Sequence, residues 1–345
     1  MTFGASRPAE DHLAAEIPAL MRQAHVPGLS IADVRDATIN WQRGFGVKRA
    51  NKTELVAADT VFQAASLSKP VFAYAVLKLA EQGKLDLDTP LTLYLPDRYA
   101  PDDPLLDHIT ARHVLNHTTG WPNWRPEGGP LRRERAPGKG FGYSGEGYNY
   151  LQRVVERLVG QPLDVHMNSV LLDPLGMARS SYAWATPDDP AMATGHDRAG
   201  NPSAPLTGTR PEAAASLRAT PHDLARFLIA LLSTGDEPWR LQPESMMEML
   251  RPQVGLTPTV SWGLGWGLEN TGDGRVIWHW GDNPGYECVV LASLEAKTGV
   301  VIMANGDGGI ELWEPIVRLI LGGEHPAFAW LASFYGVETL ADAIR

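Results

Sequence analysis

A chain of 345 residues with 44% hydrophobic content can bury one large core or two lobes. Forty acidic against thirty basic residues leave a net charge of −10, and the one basic cluster, Arg132, Arg133 and Arg135, sits in a Pro/Gly-rich loop, which argues against nucleic acid as a partner. The single cysteine, Cys288, excludes an intrachain disulfide, and no stretch approaches the ~20 apolar residues of a membrane span.

The opening MTFGASRPAEDHL has no apolar run and no cleavage signature, so a soluble, cytoplasmic protein is expected, periplasmic or secreted only if a leader has been trimmed away. Residues 9–25 place Leu13, Ile17, Leu20 and Met21 at helical spacing. Two strand-like runs, 29–34 and 38–45, flank the turn-forming Arg35-Asp36-Ala37. In VFQAASLSKPVFAYAVLKLAEQGKL the apolar pattern predicts a buried helix. Pro70, tolerated only in a first turn, places its start around Ser66. From there to about residue 252 the chain reads as mainly helical, broken by long Pro/Gly loops, with Thr220-Pro221-His222-Asp223 a good helix start. Strand-like runs return in SWGLGWGL, RVIWHW, YECVVLASL and GVVIMAN, and 311–320 reads as a closing helix. Cys288, inside one of these runs, reads as a buried inert thiol. Strands at both ends with helices between predict an α/β (α+β) fold: an antiparallel sheet flanked by N- and C-terminal helices, carrying an inserted, mainly helical lobe. The expected division is 1–63 with 253–345 for the sheet lobe and 64–252 for the helical lobe, one catalytic unit with its site in the cleft between them.

The chemistry begins at Ser66-Leu67-Ser68-Lys69. Residues three apart share a helix face, so Lys69 is expected beneath the Ser66 hydroxyl, beside unpaired backbone N–H groups suited to an oxyanion. A serine needs a base, and a lysine serves as one only when desolvated or set near positive charge, so a second proton carrier is expected. The candidates are Tyr143, in the Gly-rich PGKGFGYSGEGYNYLQ, and His279, at the end of RVIWHW just before Gly281. Two other motifs fail. Gly140 to Gly145 spells G-x-G-x-x-G with no strand before it, and Gly142-Tyr143-Ser144 lacks the second glycine of a nucleophile elbow, Glu146 standing there. His113 and His117 stand four apart without the glutamate of a zinc helix and read as structural, so no metal and no cofactor is expected.

These motifs taken together resemble the serine β-lactamase and penicillin-binding-protein superfamily, on the branch of class C β-lactamases, D-Ala-D-Ala carboxypeptidases and family VIII carboxylesterases. Ser66-Leu67-Ser68-Lys69 matches the Ser-x-x-Lys element, Tyr143-Ser144-Gly145 the Tyr-x-Asn element and His279-Trp280-Gly281 the Lys-Thr-Gly element. HVPGLSIA, GKLDLDTPL, ITARHVLNHTTGWP and LLDPLGM are similar to the same branch, from about residue 9 to 306. The resemblance implies a β-lactamase/transpeptidase-like fold and an acyl-enzyme on Ser66. It further implies a proton relay through Lys69 and Tyr143, an oxyanion hole of the Ser66 and Asp282 N–H groups, and His279 as a weaker, pH-dependent substitute for lysine.

Two positions depart from the pattern: Gly145 replaces the asparagine, and Trp280 replaces the hydroxyl residue that helps bind a carboxylate. Losing two polar anchors points to small esters over penicillins and peptides, with Gly145, Trp280, Gly281, Trp121 and Trp124 as substrate-binding candidates. Trp121 and Trp124 have an equal alternative as loop packing. The other readings are D,D-peptidase or D-aminopeptidase, weak class C-like β-lactamase, and a catalytically silent penicillin-binding-like protein. Natural substrate and oligomeric state are not legible.

Overall fold

The computed structural model describes residues 10–183, 189–203, 210–271 and 274–342. Helix α1, Glu10–Gln23, precedes a hairpin of β1, Gly28–Arg35, and β2, Thr38–Gly46; Ala9, expected at the start of that helix, lies outside the described residues. Asp36 and Ala37 both take positive φ (48° and 52°), the twist a tight two-residue hairpin turn requires. Next come β3, Phe62–Ala65, α2, Ser68–Glu81, α3, Ala111–Leu115, α4, Gly145–Val159, α5, Leu163–Met167, β4, Leu217–Ala219, α6, Pro221–Leu232, and α7, Pro243–Met249. The chain then returns to strands: β5, Val254–Gly255, β6, Val260–Trp262, β7, Gly267–Thr271, β8, Gly274–Asn283, β9, Tyr286–Ser293, and β10, Thr298–Ala304. Helices α8, Ile310–Leu321, and α9, Pro326–Tyr335, close it.

Eight strands make one antiparallel sheet in the order β2-β1-β10-β9-β8-β7-β6-β5, so the first hairpin lies beside the last strand, as the strand runs at both ends imply. Ala32, Ile277, Cys288, Val290, Val301 and Met303 join the core that contains α2 and α6. Their neighbours Leu29, Ile31, Trp278, Val289, Leu291 and Ile302 join a second core with Leu13 and Ile17 of α1 and Trp313 and Ile316 of α8. Coverage on both faces is why the central strands read as continuous apolar runs rather than alternating ones. At α6 the Thr220 side chain accepts the Asp223 N–H and Pro221 fills the first turn, as the sequence indicates.

Three features differ from expectation. Helix α2, expected to start around Ser66, starts at Ser68, with Ser66 and Leu67 in the turn before it. The short pair β3–β4 joins segments some 150 residues apart, a non-local pairing that periodicity does not report. And α9 follows α8 as an extra helix. No helix among the described residues is long and apolar enough to cross a membrane.

Candidate active site

Ser66 sits on the turn between β3 and α2, half-buried, after an Ala65 held at φ 49°. Left-handed backbone at alanine is strained, and the surroundings hold it. Ser68 Oγ donates to the Ala65 carbonyl at 2.5 Å and accepts the Leu217 N–H at 2.9 Å, while Tyr182 donates to the Ser68 carbonyl at 2.7 Å. One turn on, Lys69 is fully buried, with Nζ 2.9 Å from Ser66 Oγ and donating to the Ala214 carbonyl at 2.8 Å. Burial brings its pKa down to about 7, against a smaller upward pull from Glu212. Half the amine is therefore unprotonated near neutrality, the condition for taking the serine proton.

Strand β8 approaches this turn at Gly281. A Cβ there would run into the Ala64 carbonyl oxygen and come within 3.2 Å of the Ala65 Cβ, so only glycine lets the strand come so near. The β8–β9 hairpin closes on the pair Asn283–Tyr286, next to which Asp282 pairs with Glu287. Ladder bonds alternate along an antiparallel pair, so the N–H of Asp282 points away from β9. On that side β7 pairs with β8 only from Trp278 backward, which leaves the edge from His279 to Asp282 without a neighbouring strand among the described residues. The open edge of β8 thus passes close to the Ser66 turn at Gly281.

Tyr143 is gripped on both sides by His117. Gly142 N–H donates to the His117 carbonyl at 2.8 Å, Ser144 N–H to His117 Nδ1 at 3.1 Å, and the two rings stack with centroids 4.3 Å apart. The Ser144 side chain then caps α4 by accepting the Gly147 N–H. Lys69 Nζ lies 4.7 Å from the centre of the Tyr143 ring. Burial drives the Tyr143 phenol far upward, opposed by the neighbouring Ser66 hydroxyl, although the two do not meet hydrogen-bonding geometry. A phenol so raised keeps its proton near neutrality and offers it as a hydrogen-bond donor. His117, read from the sequence as structural, is thus the clamp of the site, and only its place in HTTG after a short helix hints at it. Burial, Lys69 and His279 hold its imidazole neutral.

His279 is also fully buried, with Nδ1 2.7 Å from the Trp280 carbonyl, a bond that leaves Nε2 as an acceptor. Burial and then Lys69 push its pKa down to about 3. Burial first, and Lys69 second, thus disfavour the pH-dependent cation expected here.

Trp121 and Trp124 separate. Trp121 is 1% exposed, donates through Nε1 to Asp103 Oδ2 at 2.7 Å and packs on Tyr99 and Tyr150, so it belongs to the loop core and not to an acyl pocket. Trp124 is 45% exposed and its indole lies over Gly145, where an added Cβ would come 2.5 Å from the ring. Its ring centre is 5.9 Å from Lys69 Nζ. Glu146 is tied to Arg125 at 2.7 Å and Tyr99 at 2.7 Å, so it does not stand in for the missing amide. Gly145→Asn is expected to swing the 45% exposed Trp124 indole away from residue 145 at a cost of only ~0.5 kcal/mol; a structure of the variant with the indole unmoved would contradict this placement. Trp280, expected at the cleft edge, is only 3% exposed, packed at 4.9 Å against Tyr143 and covered by α9. The free Cys288 is buried in β9, as expected. Among the described residues no group of His, Cys, Asp and Glu is arranged to hold a metal ion.

A buried lysine beside a serine, under a tyrosine and against a strand edge, is an arrangement in which an amine can take a serine proton. The chain belongs to the Beta-lactamase family, whose model matches residues 13–322. Esterase EstB of Burkholderia gladioli is 30% identical over 200 residues, 49% of this chain; the chain spans 50% of that protein's own length. Among solved structures, a D-alanine carboxypeptidase AmpC from Burkholderia cenocepacia superposes with a TM-score of 0.78 at 21% identity, covering 90% of this chain and 97% of that one. A class C β-lactamase gives 0.79 at 19% identity over 90% and 95%. Both share the fold.

Proposed function

We propose that this serine hydrolase is a carboxylesterase acting on small esters through an acyl-enzyme on Ser66. In acylation Lys69 takes the Ser66 proton as Oγ bonds to the ester carbonyl carbon, and Tyr143 protonates the departing alcohol as the ester C–O bond breaks. Lys69 passes the serine proton on to Tyr143. A water then gives a proton through Tyr143 to Lys69 as its oxygen bonds to the acyl carbon. That proton returns to Ser66 Oγ as the acyl C–O bond breaks and the acid leaves. The N–H groups of Ser66 and Asp282 receive the oxyanion, and Gly281 sets their spacing. His279 serves as a neutral acceptor at Nε2 on the wall of the cleft. The reaction unit takes its sheet from 1–63 and 253–345 and its helical wall from 64–252, with the site between them.

One observation carries the preference for esters: the Trp124 indole fills the space over Gly145 where an asparagine amide would anchor an amide-bearing substrate. An apolar wall there offers a small acyl group packing and offers an acylamino group no partner. The likeness to EstB, an esterase by name, supports the same reading. Hydrolysis of p-nitrophenyl butyrate and of a chromogenic cephalosporin by one preparation tests it. Ester turnover that falls at least ~10³-fold in Ser66→Ala, with little cephalosporin turnover, is the expected result. Efficient cephalosporin turnover with poor ester turnover would favour the β-lactamase or D,D-peptidase reading. Absence of labelling at Ser66 by a fluorophosphonate would favour a silent binder.

A further inference from the structure

Helix α9 begins beyond residue 322, where the match to the family model ends, yet it reaches the catalytic tyrosine. Phe334 packs edge-on against Tyr143 with ring centroids 5.9 Å apart and against Trp280 at 5.3 Å. Tyr143 and Trp280 are themselves buried, whereas Phe334 remains 42% exposed. The exposed part of the Phe334 ring is open surface directly beside Tyr143. The helix that presents it is fixed at both ends. At the start, Glu269 of β7, wholly buried, accepts the Ala327 N–H at 3.0 Å and pairs with His325 at 3.2 Å. At the end, the Tyr335 hydroxyl accepts from Trp280 Nε1 at 3.0 Å and donates to Asp282 Oδ2 at 2.9 Å. These ties place Phe334 beside the free β8 edge on a support that does not need to order when substrate arrives.

We infer that Phe334 is a specificity-determining residue whose exposed ring forms an apolar subsite for the alcohol portion of the ester and favours aryl-bearing alcohols such as benzyl. This rests on the esterase reading above. The side of the cleft follows from the chemistry: the group that protonates the leaving alcohol must touch its oxygen, so the ring packed on Tyr143 meets the carbon chain attached to that oxygen. Trp124, beside Lys69 and Gly145, is left to the acyl side. Two separate aromatic walls thus predict two separate selectivities.

Benzyl and ethyl butyrate test this, because their alcohols are similar leaving groups and the acyl part is shared. The readout is kcat/KM, which covers acylation and is blind to the common deacylation step. Phe334→Ala should lower the benzyl-over-ethyl preference about tenfold, and Phe334→Leu, which keeps bulk without a ring, should lower it by less. Neither change should alter preference along a series of ethyl esters of longer acids, a readout that general loosening of the helix would move. An unchanged benzyl-over-ethyl ratio in a folded Phe334→Ala overturns the subsite while leaving the esterase standing. Absence of Ser66-dependent turnover of every ester by the wild type overturns both.

Discussion

Lys69→Met is expected to reduce kcat/KM for esters by ~10⁴-fold or more while raising stability, because the same burial that makes Lys69 a base makes it a poor structural residue. An unfolded lysine holds its proton to about pH 10.4, whereas in the fold Lys69 releases it at about 7. Between these values the unfolded chain binds more protons, so stability rises with pH; below 7 the whole penalty applies, on the order of 3–5 kcal/mol. Methionine removes that penalty but strands the Ala214 carbonyl, for a net gain of roughly 1–3 kcal/mol at neutral pH. The gap between variant and wild type should narrow as pH rises from 7 to 10, which denaturant titrations across that range would measure. The catalytic counterpart is a kcat/KM that falls tenfold per pH unit below about 7, since only the unprotonated amine accepts the serine proton. Neither His279, held near 3, nor His117 contributes to that limb. A destabilised Lys69→Met, or an acid limb centred well above 8, would contradict this account.

Gly281→Ala should cost ~10²–10³ in kcat/KM although it removes no functional group. Its Cβ meets the Ala64 carbonyl, backbone on both sides, and neither strand nor turn can yield without moving Ser66 or Asp282. A shift near 1 Å takes the two N–H groups off the oxyanion, which is the scale at which such donors stop working. The same clash should cost ~1–3 kcal/mol of stability. KM should change much less than kcat, since the loss is in stabilising charge that develops only during reaction. Wild-type kcat/KM in a folded Gly281→Ala would mean that the oxyanion is held elsewhere.

How far the residues alone reach depends on how local each feature is. The first hairpin, the Thr220 cap and the approach of Lys69 to Ser66 all follow from neighbours a few positions apart, and all are found where expected. Helix α2 starts at Ser68, within two residues of the expected region, since the end of a helix is where local signals are least sharp. His117 escapes because its value lies in gripping Tyr143, twenty-six positions on, and nothing in HVLNH announces a partner there. Trp121 and Trp124, three apart in one loop, look alike in sequence and part company only because Asp103 anchors the first.

The strand runs at both ends, the helix starting after Thr220 and the three short motifs were therefore decided by the sequence itself, since each rests on periodicity, turn chemistry or a helix face spanning a few residues. Tertiary structure alone decided that His279 is buried beside Lys69, that Trp124 occupies the space above Gly145 and that α9 brings Phe334 to Tyr143. Each of these depends on burial or on contact between segments far apart in the chain, and desolvation and steric exclusion exist only once those segments have packed.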